Sequence, residues 1–152
     1  MSSRSASRAD IDDFYAQKRL AIVGVSRNEK EYSRLVFQEL RQAGYDVVPV
    51  NPQAQEIEGL RCYASVAEIA PAVDGAMVLL PAEAGASAAR EAAGAGVKRL
   101  WLRYDTPAAR ELAGQQGVKL ISGYCPFMFV PGSSFFHQCH AFGLKLVGKY
   151  PK

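Results

Sequence analysis

The sequence predicts an α/β fold: a doubly wound parallel sheet of about five strands with helices on both faces, plus a C-terminal amphipathic helix. Three observations carry this prediction. Five short apolar runs recur along the chain, each suited to a strand buried on both faces. Stretches of helical spacing separate them, with short connections, which is the alternation that yields a parallel sheet with right-handed crossovers. The chain of 152 residues, 49% hydrophobic and 22% charged, has the size and composition of a single soluble domain spanning residues 1–152.

The first thirteen residues read as a mostly polar arm leading into a short helix, without the apolar stretch of a secretory signal. Leu20 to Val25 is the first strand run and ends on a glycine turn. Glu31 to Ala43 has Leu35, Val36 and Leu40 on one helical stripe, with Gly44 as the stop. Tyr45 to Val50 is the second strand, and Pro49 within it must sit where no ladder donor is needed. Residues 53–61 read as a loop, and Ser65 as the cap of a short helix through Ile69. Gly75 to Leu80, Lys98 to Arg103 and Val118 to Ser122 are the remaining strands. Between them lie an alanine-rich helix, Ala82 to Ala93, and a second opened by Thr106-Pro107. The segment 133–148 carries apolar residues at helical spacing with Lys145 and Lys149 beside them. It fits three roles: packing on its own sheet, joining a subunit interface in a homodimer, or lying on a membrane surface.

Composition narrows the function. A net charge of +3 is too small to imply nucleic acid, and no apolar run approaches the roughly 20 residues of a membrane span. Three widely spaced cysteines without a CxxC pair argue against a disulfide framework or zinc knuckle and suit a cytoplasmic setting. His137, Cys139 and His140 are crowded on the C-terminal segment without a distant fourth ligand, so a polar helix face is expected there and no metal. No nucleophile, base and orienting group come together, so no catalytic residue is assigned.

Ligands of such sheets bind beyond the carboxyl ends of the strands, where strand order reverses. The turn Gly24-Val25-Ser26-Arg27-Asn28 follows the first strand. Gly24 permits a close approach, and the following helix offers amides and a positive dipole end to phosphate. Ser26 and Ser33 supply hydroxyls, and Arg27, Lys30 and Arg34 supply charge. The plain alternative is a tight turn such as any α/β protein uses. The NAD fingerprint is not met. Ser26 and Glu29 stand in the second and third glycine places, and Val50-Asn51-Pro52 ends the second strand where an acid should meet the ribose.

From Leu20 to Pro126 the chain resembles the small CoA-binding Rossmann proteins, relatives of the CoA-binding domain of the succinyl-CoA synthetase α-subunit. The likeness rests on Gly24, Ser26 and Asn28 of the turn with Ser33, Pro49 to Pro52 (P-V-N-P), Gly59, Cys62-Tyr63, Leu80-Pro81, Trp101 and Cys125-Pro126. The resemblance implies a Rossmann-like fold binding coenzyme A. It implies phosphate at Gly24, Val25, Ser26, Arg27, Asn28 and Ser33. It places the adenosine part beside Val50, Asn51 and Pro52, and the pantetheine path along Leu80 and Pro81. Glu29 and Tyr32 stand where the family often has prolines. The expected function is therefore a stand-alone, non-catalytic module that binds CoA or acyl-CoA. The alternative is a nucleotide-dependent enzyme, either an NAD(P) oxidoreductase or an acyl-CoA ligase-like subunit. Cys125 at the mouth is either a small residue before a rigid proline or a thiol able to form a mixed disulfide with CoA. Trp101 is expected in the core, with Arg103 and Tyr104 reaching toward the ligand.

Overall fold

Alternate residues of each central strand bury on opposite faces, and this fixes the layering. In the computed structural model Leu20 and Ile22 face one cluster of buried side chains, while Ala21 and Val23 face another. The structure describes residues 7–70, 72–104, 106–107, 110–111 and 117–123. The expected C-terminal helix, Cys125, His137, Cys139 and His140 lie outside them.

Five strands form one all-parallel sheet: β1 (Arg19–Val23), β2 (Asp46–Val50), β5 (Gly75–Val78), β6 (Arg99–Leu102) and β7 (Lys119–Ser122). Their order is β2-β1-β5-β6-β7. Strand β1 hands the chain to β2 on one side, and the chain then returns to β5 on the other. Strand order therefore reverses between β1 and β5. Strand β2 is the sheet's edge, which explains Pro49. Its neighbour Val50 turns its carbonyl toward β1, accepting from the Gly24 amide at 2.9 Å. Pro49 turns the other way and its carbonyl accepts from Tyr63 at 3.0 Å, so its missing N–H falls on the outer side.

The helices lie on both faces. On one, α1 (Arg8–Tyr15) and α2 (Tyr32–Gln42) pack Ile11, Phe14, Val36, Phe37 and Leu40 against Leu20, Ile22, Met77 and Trp101. On the other, α3 (Ala82–Gly94) and the 3-10 turn Val66–Glu68 cover Ala21, Val23, Ala76, Val78 and Leu100. Helix α2 stops at Gly44, where the Gly44 amide donates to Arg41 and the Tyr45 amide to Leu40, satisfying two terminal carbonyls.

Three local expectations are corrected. The N-terminal arm is helical from Arg8 onward. Ser7 accepts from the Asp10 amide at 3.1 Å and Asp10 accepts from the Ser7 amide at 3.0 Å, a reciprocal cap that starts α1 inside the supposed polar stretch. Residues 53–61 contain a small antiparallel ribbon, β3 (Glu56–Ile57) and β4 (Leu60–Arg61). Its two turn residues, Glu58 and Gly59, both have positive φ (50° and 79°), as a two-residue hairpin turn requires. Finally, Ser65 precedes the 3-10 turn but its side chain makes no capping bond.

Candidate functional site

The carboxyl ends of β1 and β5 open onto a cavity of about 340 Å³ on the α3 face, within the usual range for small-molecule sites. Gly24, Val50, Asn51, Pro52 and Leu80 line it, five of the residues expected from the sequence. Gly24 has φ +92°, and a Cβ there would lie 2.7 Å from Leu80 Cδ2, so only glycine lets the turn leave β1 beneath Leu80. Asn51 is fixed rather than free. Its amide nitrogen donates to the Val25 carbonyl at 2.9 Å, and its Oδ1 accepts from the Gln53 amide at 2.8 Å. This side chain ties the ends of β1 and β2 together and sets the cavity floor. Ala64, Ala84, Ser87 and Glu91, which the sequence did not single out, also line it, together with Ser65, which was expected only as a helix cap. Ala84 and Ser87 lie on α3, where small side chains leave room and carry no chemical signature.

The other expected residues lie elsewhere. Val25 is fully buried as a core residue. Pro81 is exposed and precedes α3, its carbonyl accepting from Gly85 at 2.7 Å. Ser26, Arg27, Asn28 and Ser33 do not line the cavity. The turn they form is bonded largely to itself. Ser26 N–H donates to Ser33 Oγ at 2.9 Å, Asn28 N–H to Ser26 Oγ at 3.0 Å, and Lys30 N–H to Asn28 Oδ1 at 3.0 Å. The row of open amides expected at this bend is thus partly closed by its own serine and asparagine side chains. Short polar side chains bond nearby amides readily.

Arg34 is corrected more sharply. It is 6% exposed and faces inward. Its Nε pairs with Glu58 Oε2 at 2.9 Å, and Nη1 donates to the carbonyls of Ser26 and Arg27 at 3.3 and 3.2 Å. A guanidinium so engaged locks the turn to the β3–β4 ribbon and is not available as a phosphate cation. Arg41 adds a bond to the Glu58 carbonyl at 3.0 Å. The pair helps hold Glu58 in its left-handed conformation, which costs a non-glycine residue on the order of 1 kcal/mol.

A second, more open depression of about 420 Å³ adjoins the first and shares Pro52 and Ala64 with it. It adds Gln55, Arg61, Cys62 and Glu68. The Arg61 guanidinium lies 4.6 Å from the centroid of the Tyr63 ring. Cys62 is a buried free thiol whose pKa burial pushes up, so it is a poor nucleophile. Trp101 is fully buried, edge-on to Phe14 at 5.4 Å between ring centroids. Arg103 stacks on Tyr32 at 4.1 Å and lines neither cavity.

A parallel sheet of this order, with a ligand-sized cleft where its order reverses, defines the class: a doubly wound α/β domain. The chain belongs to the CoA binding domain family, which residues 18–131 match. An ADP-forming acetate–CoA ligase II of Archaeoglobus fulgidus is 33% identical over 91 residues, covering 59% of this chain and 14% of that protein. An uncharacterized Bacillus subtilis protein, YneT, is 33% identical over 72 residues, covering 47% of this chain and 53% of its own length. The chain thus spans from about a seventh to about half of these two relatives. Among solved structures, a conserved hypothetical protein from Pyrococcus furiosus is 36% identical with a TM-score of 0.68, over 71% of this chain and 95% of the other. A hypothetical protein from Pyrococcus horikoshii is 26% identical with a TM-score of 0.75, over 83% and 93%. Among the described residues no helix is long and apolar enough to cross a membrane.

Proposed function

We propose that this chain binds coenzyme A, or an acyl-CoA, as a stand-alone, non-catalytic module of the cytoplasm. The observation that carries the reading is the cavity at the β1–β5 reversal, lined by Gly24, Val50, Asn51, Pro52 and Leu80. Its walls are mainly apolar, as adenine and a pantetheine arm require. Its polar lining residues are Asn51, Ser65, Ser87 and Glu91, with no lysine or arginine among them. In this reading Val50, Asn51 and Pro52 face the adenosine, and Leu80 and Pro81 flank the pantetheine. The turn of Val25, Ser26, Arg27, Asn28 and Ser33 shapes the phosphate end. No nucleic-acid partner is part of this reading, and a homodimer is compatible with it.

Calorimetry of the purified chain with CoA, NAD and NADP tests the proposal, together with mass spectrometry of any small molecule released on denaturation. CoA binding with none of the dinucleotides is expected. Binding of NAD or NADP in place of CoA, or of none of the three, overturns the reading. A second reading makes the chain one part of an acyl-CoA ligase, favoured by its match to the acetate–CoA ligases. Capture of a second subunit that restores ADP-forming ligase activity distinguishes it from the stand-alone module.

A further inference from the structure

The two neighbouring cavities divide their chemistry unevenly. The first has no lysine or arginine among its lining residues, and the second has one cation, Arg61. The cavities share the wall made by Pro52 and Ala64. A nucleoside seated over Asn51-Pro52, as the CoA reading has it, would lie beside that shared wall, with the second cavity next to it.

Arg61 suits a phosphate there. It is the last residue of β4, and the Tyr63 ring, 4.6 Å away, covers one face of its guanidinium. An arginine held over an aromatic ring can still present its N–H fork to phosphate bidentately. Glu68 also lines the cavity, but no ion pair joins it to Arg61 among the described residues. The rival cations are placed otherwise. Arg34 is consumed by Glu58 and two carbonyls. Arg27 and Lys30 are exposed on the turn and line neither cavity.

We infer that the second cavity is a phosphomonoester subsite in which Arg61 receives the 3′-phosphate of the bound nucleotide, so that the protein selects CoA over dephospho-CoA. The inference rests on the CoA reading above and names the specificity determinant of that site.

The test is calorimetry of the full chain with CoA and with dephospho-CoA, on the wild type and on Arg61→Ala, Arg61→Lys, Arg27→Ala and Lys30→Ala. Wild type is expected to prefer CoA by roughly tenfold to a hundredfold, the range of a hydrogen bond to a charged group. Arg61→Ala removes that preference by weakening CoA alone, leaving dephospho-CoA affinity within about twofold. Arg61→Lys restores part of it, because a lysine supplies the charge without the fork. Arg27→Ala and Lys30→Ala leave the ratio unchanged. An unaltered ratio in Arg61→Ala, or a ratio lost in Arg27→Ala or Lys30→Ala instead, overturns the inference while the CoA reading stands. Failure of the wild type to bind either compound overturns both.

Discussion

The two faces of the sheet are filled differently. The α1–α2 face is packed with bulk: Trp101, Phe14, Phe37, Leu40 and Met77 are fully or almost fully buried. The α3 face is built from small residues, with Ala21, Ala76, Ala89 and Ala92 fully buried. Small side chains bring α3 close to the strands. At its N-terminal end, where β1 and β5 run out, Ala84 and Ala88 do not fill the remaining space, and the cavity opens there. One face therefore supplies rigidity and the other supplies room. Truncation should expose this difference most strongly. Trp101→Ala is expected to cost about 3–5 kcal/mol of unfolding free energy in urea titrations, since a large void opens in a closely packed cluster. Enlarging a side chain on the other face should leave stability nearly unchanged. Ala88→Leu is expected to keep unfolding free energy within about 1 kcal/mol, because the added atoms enter existing space. The same change should lower CoA affinity at least about tenfold by calorimetry, as each methylene fills volume the ligand needs.

The join between the filled face and the site is the Arg34–Glu58 pair, whose side chains are 8% and 27% exposed. Glu58→Ala leaves a buried guanidinium with a lost partner, and the expected destabilisation is about 3 kcal/mol. Glu58→Gln keeps an acceptor and should recover part of it. If both variants melt like the wild type, the pair does not brace the turn, and the rigidity of the first face stops short of the cleft.

The five strands and their alternation with helices were legible because parallel strands buried on both faces are continuous apolar runs. Their ends were read too long. The runs extend to Val25, Leu80 and Arg103, whereas the strands end at Val23, Val78 and Leu102. Val25 and Leu79 lie past the strand ends yet remain buried, so composition does not mark the point where strand becomes ligand-bearing turn. The β3–β4 ribbon escaped because each strand has two residues and Glu58 stands where an asparagine or aspartate before glycine would have signalled the hairpin. Missing the ribbon also hid the partner of Arg34, which lies 24 residues away in sequence. Helix α1 did leave a signal, the Ser7–Asp10 spacing ahead of Ile11 and Phe14, inside a stretch whose polarity suggested an arm. The β1 and β2 ends of the cleft were legible from Gly24 and Val50-Asn51-Pro52. Its α3 wall was not, since alanine and serine on a helix announce nothing.

How α1 is held sharpens the comparison at its smallest scale, because apolar burial and polar clamps both fasten it to the filled face. Ile11 and Phe14, 0% and 1% exposed, bury its apolar side in the core cluster of that face. Ser7→Ala removes the reciprocal cap and is expected to cost about 1 kcal/mol. The smallest effect belongs to Asp13. Its carboxylate meets Arg99 at 2.8 Å and Lys119 at 3.6 Å, tying α1 to β6 and β7. The hydrogen bond from Arg99, followed by the attraction of both cations, holds its pKa below the usual 3.8 despite some desolvation. A carboxylate with a lowered native pKa stabilises the fold at pH values above the unfolded pKa, and that contribution drains away as pH falls through the lower native value. Wild type should therefore melt slightly above Asp13→Asn at pH 7 and at pH 5 by the same margin, and the two curves should converge as the pH is taken below 3.8. A margin that survives full protonation would mean that Asp13 acts through packing, and that the clamp on the filled face is not electrostatic.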